Sequence, residues 1–121
     1  MSFRDLLGIT IDERGDGRAR LSFDATEDHL NDGGIVHGGA IATLVDCAMG
    51  SAVASTLVDG AQPVTADTTI KYLEPSRQGR LVATAHIRKK GKRLVVLEAE
   101  VVQDDTGEAV AFATGTFTTI D

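Results

Sequence analysis

The stretch His37-Gly38-Gly39-Ala40-Ile41-Ala42-Thr43-Leu44-Val45-Asp46-Cys47-Ala48-Met49-Gly50-Ser51-Ala52-Val53-Ala54 continues through small and apolar residues to Val58, and Asp46 is its only charged side chain. Its apolar positions wrap nearly all round a helical projection. The sequence therefore predicts a long helix, starting near Gly38, that other elements cover on most sides. A carboxylate in such a place loses hydration when it ionises, and that loss raises the basicity of a buried acid, which makes Asp46 a candidate base. At the start of the same helix, Gly38 and Gly39 offer backbone N–H groups where the helix dipole favours negative charge. A base and an electrophilic contact on one short element look like machinery for attacking a carbonyl. Structural readings compete with this. A buried acid can simply satisfy a helix end or a neighbouring strand, and paired glycines can simply admit a tight helix entry. The placement of Asp46 nine positions after His37-Gly38-Gly39 favours chemistry. His37 itself reads as an orienting residue at the helix start, not as an acid–base catalyst.

Working outward, residues 8–14 and 18–24 read as two strands turning at Gly15-Asp16-Gly17, and residues 26–30 as one helical turn. Asn31-Asp32-Gly33-Gly34 is a loop by composition. Beyond the helix, residues 64–72, 79–89, 93–103 and 108–118 are rich in Val, Thr, Ile and Phe and alternate in part with period two, as in Leu81, Ala83, Ala85 and Ile87. Breaks at Glu74-Pro75-Ser76, Lys90-Gly91-Lys92 and Asp104-Asp105-Thr106-Gly107 separate them, the last two short enough for antiparallel hairpins. The economical arrangement is α+β, with an antiparallel sheet curled around one long helix as a single domain over residues 1–121.

With 121 residues, 42% hydrophobic and only 4% aromatic with no Trp, the interior must be built from Ala, Val, Leu and Ile. Such a core is thin unless chains associate, so an oligomer is expected. A formal charge of -6 argues against binding nucleic acid. Cys47 is the only cysteine, which excludes an intrachain disulfide and a cysteine metal cluster and suits a reducing cytoplasm. It reads as a small core residue, because neighbours on a helix point about 100° apart. The N-terminus lacks the features of a secretion signal. The run 38–58 is long enough to raise a membrane span, but Ala, Gly, Ser and Thr around an Asp insert poorly. Lys89, Lys90, Lys92 and Arg93 form a basic cluster on an acidic chain, either a solvated hairpin tip or a phosphate contact. Asp67 falls on the face of Thr65 by period two, which puts it near the site or at a subunit contact.

The segment Asn31-Asp32-Gly33-Gly34-Ile35-Val36-His37-Gly38-Gly39-Ala40, followed by Leu44-Val45-Asp46, resembles the hotdog-fold thioesterases of the phenylacetic-acid-degradation type. Their motif is N-x-x-G-x-x-H-G-G with an acid nine residues after the His. Val64-Thr65-Ala66-Asp67, Ile70-Lys71-Tyr72-Leu73-Glu74-Pro75, Gly79 and Lys90-Gly91-Lys92-Arg93 match in the same order, so the likeness runs over residues 18–118. It implies a hotdog fold and hydrolysis of acyl-coenzyme A to free acid and coenzyme A, with no metal and no cofactor. By the same resemblance Asp46 is the general base or the nucleophile, and the Gly38 N–H polarises the thioester carbonyl. Asn31 and His37 orient water or the carbonyl, and Thr65 assists the acid. Gly39, Tyr72, Pro75, Lys89, Lys90, Gly91, Lys92 and Arg93 fall in the region that contacts substrate and coenzyme A. In the family the site is shared between two chains, with Asp46 and Thr65 of one facing Asn31, His37 and Gly38 of the other. The resemblance therefore implies a homodimer as the minimal unit and a homotetramer built from dimers, in the cytoplasm, without nucleic acid or membrane.

One position departs from the pattern: some relatives place Ser or Thr one helical turn after the acid, where this chain has Gly50. The aryl-thioesterase subgroup that relies on that hydroxyl fits less well. Two rivals stay open. A 3-hydroxyacyl thioester dehydratase or hydratase shares the fold, but this chain lacks a His-Phe-Pro-Gly-like loop. A non-catalytic acyl-coenzyme A binding or sensing module is the other.

Overall fold

The computed structural model describes the whole chain, Met1–Asp121. Its elements are α1 (Phe3–Leu6), β1 (Thr10–Gly15), β2 (Arg18–Ala25), a 3-10 turn (Glu27–His29), α2 (Gly38–Ala54), β3 (Gln62–Tyr72), β4 (Gly79–Lys90), β5 (Val95–Gln103) and β6 (Glu108–Ile120). The strands form one six-stranded antiparallel sheet in the order β1-β2-β4-β5-β6-β3. Short turns make neighbours of β4, β5 and β6, as their spacing predicts, whereas β3 lies beyond β6 at the far edge. The β1–β2 turn needs two left-handed residues, supplied by Asp16 at φ 54 and Gly17 at φ 78, a geometry whose twist matches that of the flanking strands.

The sheet curls around α2, which packs on β2, β4, β3 and β5. Alternation does the sorting. On β4 the residues Leu81, Ala83 and Ala85 point inward, and on β5 the residues Val95, Leu97, Ala99 and Val101 do, meeting Ile41, Leu44, Val45, Ala48, Met49, Ala52 and Val53 of the helix. The core holds 25 buried residues, and only Phe23 and Phe117 among them are aromatic. Volume comes from close approach instead. Gly115 of β6 faces the helix so tightly that a Cβ there would lie 2.6 Å from Met49 Sδ.

Two expectations change. First, α2 is not covered nearly all round. Ala40, Ile41, Leu44, Val45, Ala48, Met49, Ala52 and Val53 are buried, while Ala42, Thr43, Asp46, Cys47, Gly50, Ser51 and Ala54 form a half-exposed stripe. The sheet is an open curl with β1 and β3 as free edges, so it wraps one side of the helix only. Secondly, the helix ends at Ala54, short of Val58. Ser55 Oγ donates to the Ala52 carbonyl at 2.7 Å and Thr56 Oγ1 donates to the Val53 carbonyl at 2.8 Å, so hydroxyls take over the last turn. Ser55 Oγ also accepts the Gly17 N–H at 2.9 Å, fastening the β1–β2 turn to the helix end. The N-terminal segment, to which the sequence assigned no element, is helical over Phe3–Leu6, nucleated by a capping box in which Ser2 and Asp5 bond each other's backbone N–H. No helix is long and apolar enough to cross a membrane.

The Gly115–Met49 contact gives a direct stability test. Gly115→Val should cost about 1 to 3 kcal/mol by overpacking, read as a lowered urea midpoint at fixed protein concentration. An unchanged midpoint would show that Met49 swings away without loss.

Candidate active site

The predicted residues fall in three places: the start of α2, its middle and the β4–β5 hairpin tip. At the helix start, the loop from Asn31 turns on its own side chain: Asn31 Oδ1 accepts the N–H of Gly33 at 2.9 Å and of Ile35 at 3.2 Å. The Asn31 N–H donates to the Ile35 carbonyl at 2.7 Å, and Leu30 and Val36 bridge behind it. His37 then caps the helix, its Nδ1 accepting the Gly39 N–H at 2.8 Å. With Nδ1 occupied as an acceptor, a neutral ring carries its proton on Nε2 and presents a donor, not a base. The glycines answer to rings. A Cβ on Gly39 would sit 3.0 Å from His37 Nδ1, and one on Gly38 would sit 3.4 Å from Tyr72 Cζ and Oη. Tyr72 Oη donates to the Gly38 carbonyl at 2.8 Å, while the Gly38 N–H has no partner within the chain. Gly38, Tyr72 and Pro75 border one cavity of about 320 Å3, whose wall includes the buried, unpartnered hydroxyl of Ser76. Sequence reasoning had no signal for Ser76.

The second place is mid-helix. Asp46 is half buried, and its Oδ1 accepts a 2.6 Å hydrogen bond from Thr65 Oγ1 on β3. Thr65 and Tyr72 are an odd number of residues apart, so a regular strand would aim them at opposite faces. A bulge removes the conflict. Thr65 pairs with Phe117 but Asp67 pairs with Thr116, so Ala66 is the extra residue. Thr65 opposite Phe117 and Tyr72 opposite Ala111 then both face α2. The same bulge turns Asp67 to the outer face beside Thr116, correcting its expected alignment with Thr65.

A cavity of about 280 Å3 opens at Asp46, with Thr65, Cys47 and Gly50 on its wall and Arg4 and Arg14 at its rim. Neither arginine was a candidate from the sequence: Arg4 lies on the unforeseen α1, and no local pattern links Arg14 to Asp46. Cys47 borders this cavity instead of lying wholly in the core. Burial first, and then the neighbouring Asp46 charge, push its thiol up from the ordinary range, against a smaller opposing pull from Arg4. At Gly50 a Cβ would meet only Phe117 Cε2 at 3.6 Å, so the missing hydroxyl reflects sequence, not lack of room.

The basic cluster forms the β4–β5 hairpin tip, closed by the Gly91 N–H donating to the Leu94 carbonyl at 2.8 Å. Lys89, Lys92 and Arg93 are exposed. Lys90 Nζ instead donates to the carbonyl of Thr56 at 3.3 Å and to its Oγ1 at 3.1 Å, just past the C-terminal end of α2. Within one chain this tip is therefore at the opposite end of the helix from Gly38. No group of three or more His, Cys, Asp or Glu side chains is placed to hold a metal ion.

The model of the Thioesterase superfamily matches residues 33–110, a span that takes in His37, Gly38, Asp46, Thr65 and Tyr72. The chain belongs to that superfamily. It is 35% identical to acyl-coenzyme A thioesterase 13 of Homo sapiens, over 91% of this chain and 79% of that protein. It is 33% identical to the acyl-coenzyme A thioesterase PaaI of Escherichia coli, over 88% of this chain and 74% of that protein. Among solved structures it superposes on the E. coli PaaI protein of the phenylacetic acid degradation operon with a TM-score of 0.89 and 32% identity, covering 98% of this chain and 83% of that one. A conserved protein of Pseudomonas aeruginosa gives 0.93 at 33% identity, covering 99% and 94%. These likenesses bear out the hotdog fold and the family that the motif indicated.

Two measurements check the local geometry. Gly39→Ala drives a methyl against the capping imidazole and should cost about 1 kcal/mol, the worth of a helix cap, in urea unfolding. Cys47 should react with a maleimide at pH 8 far more slowly than free cysteine, because a raised thiol holds less thiolate there, and Asp46→Asn should speed the reaction by removing one of the two raising causes.

Proposed function

We propose that this superfamily member hydrolyses acyl-coenzyme A thioesters to free acid and coenzyme A. The observation that carries the reading is the pairing of a cavity-facing carboxylate, Asp46, held by Thr65, with an unpartnered backbone N–H at Gly38 that borders a second cavity. The names of the relatives point to the same substrate class. Thr65 engages Oδ1 and leaves Oδ2 free for the chemistry. As a base, Asp46 takes a proton from water while the water oxygen bonds to the thioester carbon. The carbonyl oxygen gains negative charge, the Gly38 N–H stabilises it, and the carbon–sulfur bond then breaks and the thiolate leaves to take up a proton. As a nucleophile, Asp46 forms an anhydride that water opens in a second step. The exposed Nε2–H of His37 and the free amide nitrogen of Asn31 supply further donors near the carbonyl.

Asp46 lies eight residues beyond Gly38, about 12 Å along the helix axis, too far for both to engage one carbonyl within a chain. A second copy completes the site, with its helix start brought to this chain's Asp46. Support comes from the unpaired edge of β3, a long exposed strand that presents Val64, and from the half-exposed stripe of α2. A homodimer is thus the minimal active unit, and two dimers make the homotetramer. In that setting the coenzyme A phosphates meet the exposed Lys89, Lys92 and Arg93 together with the Gly91 backbone, while Gly39, Tyr72 and Pro75 border the pantetheine path. Lys90, engaged with Thr56, contributes charge at that tip. The setting is cytoplasmic, and the whole chain acts as one domain.

Thiol release from a panel of aryl and medium-chain acyl-coenzyme A substrates tests the reading, and no release from any of them would overturn it. Asp46→Asn should keep the assembly seen by sedimentation and lower kcat by roughly a hundredfold or more. Thr65→Val, which removes one hydrogen bond to a charged group, should cost about tenfold.

A further inference from the structure

The mid-helix cavity is more than a place for Asp46. Its rim carries two guanidinium groups, Arg4 from α1 and Arg14 from the edge strand β1, on a chain whose formal charge is -6. The Arg14 side chain makes no salt bridge and no hydrogen bond to another residue; the five ion pairs of the chain involve Arg4, Arg20, Arg80 and Arg88. Arg4 has only a loose contact, 3.7 Å from one terminal nitrogen to its neighbour Asp5, and its Nε is buried with no acceptor at all. A buried donor left without a partner costs free energy, which an acceptor bound beside it would offset. The ground between the arginines and Thr65 is apolar or small, with Ile11, Ala54 and Phe117. Such a surface accepts a short hydrocarbon segment, and the planar forks of arginine are suited to a carboxylate.

Resting on the thioester-hydrolase reading above, we propose that Arg4 and Arg14 are specificity residues for acyl groups that end in their own carboxylate, so that the preferred substrates are coenzyme A half-thioesters of short dicarboxylic acids. The thioester carbon sits at Asp46, the methylene segment lies along Ile11 and Phe117, and the far carboxylate is held by the two guanidiniums. A neutral acyl chain of equal length leaves Arg14 unpaired and Arg4 with only its loose contact to Asp5. It also offers no acceptor to Arg4 Nε.

The test compares adipoyl-coenzyme A with hexanoyl-coenzyme A, which differ only in the terminal carboxylate. The full-length protein should favour adipoyl over hexanoyl in kcat/KM by roughly tenfold or more, the scale of a charge-assisted pair that one substrate lacks. Arg14→Gln and Arg4→Gln should each pull that ratio down, and the double variant should bring it to one or below. Arg14→Gln serves as the fold-safe variant, since its side chain bonds to nothing else in the chain. Two results overturn the proposal: a native ratio at or below one, or a ratio unchanged by either substitution, which, where activity on both substrates falls equally, would assign the arginines to the charge of Asp46 instead. Failure of the protein to hydrolyse either substrate or any other acyl-coenzyme A would be a different outcome, removing the hydrolase reading itself and the proposal with it.

Discussion

The site depends on one strand holding one helix at two points. β3 sends Thr65 to the Asp46 carboxylate and Tyr72 to the Gly38 carbonyl, so a single edge strand fixes both the middle and the start of α2. Two side chains seven positions apart cannot both do this from a regular strand, because successive residues alternate faces. The extra residue at Ala66 restores the parity. Everything at the site follows from that arrangement: the orientation of the acid, the seating of the first helical turn, and the outward turn of Asp67. The bulge also lies on a sheet edge, where one more unpaired residue interrupts a ladder on one side only.

The helix start is a second constraint, built from bonds within a few residues and closed by one from β3. Asn31 spends its oxygen on the loop, His37 spends Nδ1 on the cap, and Tyr72 takes the carbonyl of Gly38. What these bonds leave unspent is a set of donors: the Gly38 N–H, the imidazole Nε2–H and the Asn31 amide. A group of donors with no acceptor among them suits a carbonyl oxygen that is gaining charge. The acid lies half the helix away, so within one chain the donor cluster and the carboxylate stand apart.

Much of the fold was legible because local signals agreed with one another. Period-two runs gave β4, β5 and β6, the Lys90-Gly91-Lys92 break gave their turn, and Gly15-Asp16-Gly17 gave the first hairpin. The positions of the candidate residues Asn31, His37, Gly38, Asp46 and Thr65 were legible through the motif, since each stands at a fixed offset on an element or loop that the pattern also identified. What escaped the sequence has physical causes. A bulge at Ala66 carries no residue signature, being decided by pairing with β6 some fifty positions away. The covering of α2 was misread because Ala42, Thr43, Cys47, Gly50 and Ser51 are small enough to suit a core, a subunit contact or a cavity wall alike. Ser55 and Thr56 looked like continuing helix and instead capped it. Arg4 and Arg14 reach the cavity through α1 and β1, elements whose meeting with the middle of α2 is purely tertiary.

Gly38 and Gly39 stand side by side, yet the space each preserves belongs to a different neighbour, a phenol for the first and an imidazole for the second. A methyl at 38 reaches only van der Waals distance of the phenol, 3.4 Å, and should be borne without repair, whereas one at 39 presses to 3.0 Å of Nδ1 and should call for a second change at position 37. Adjacent positions in the chain thus carry unequal mutational loads.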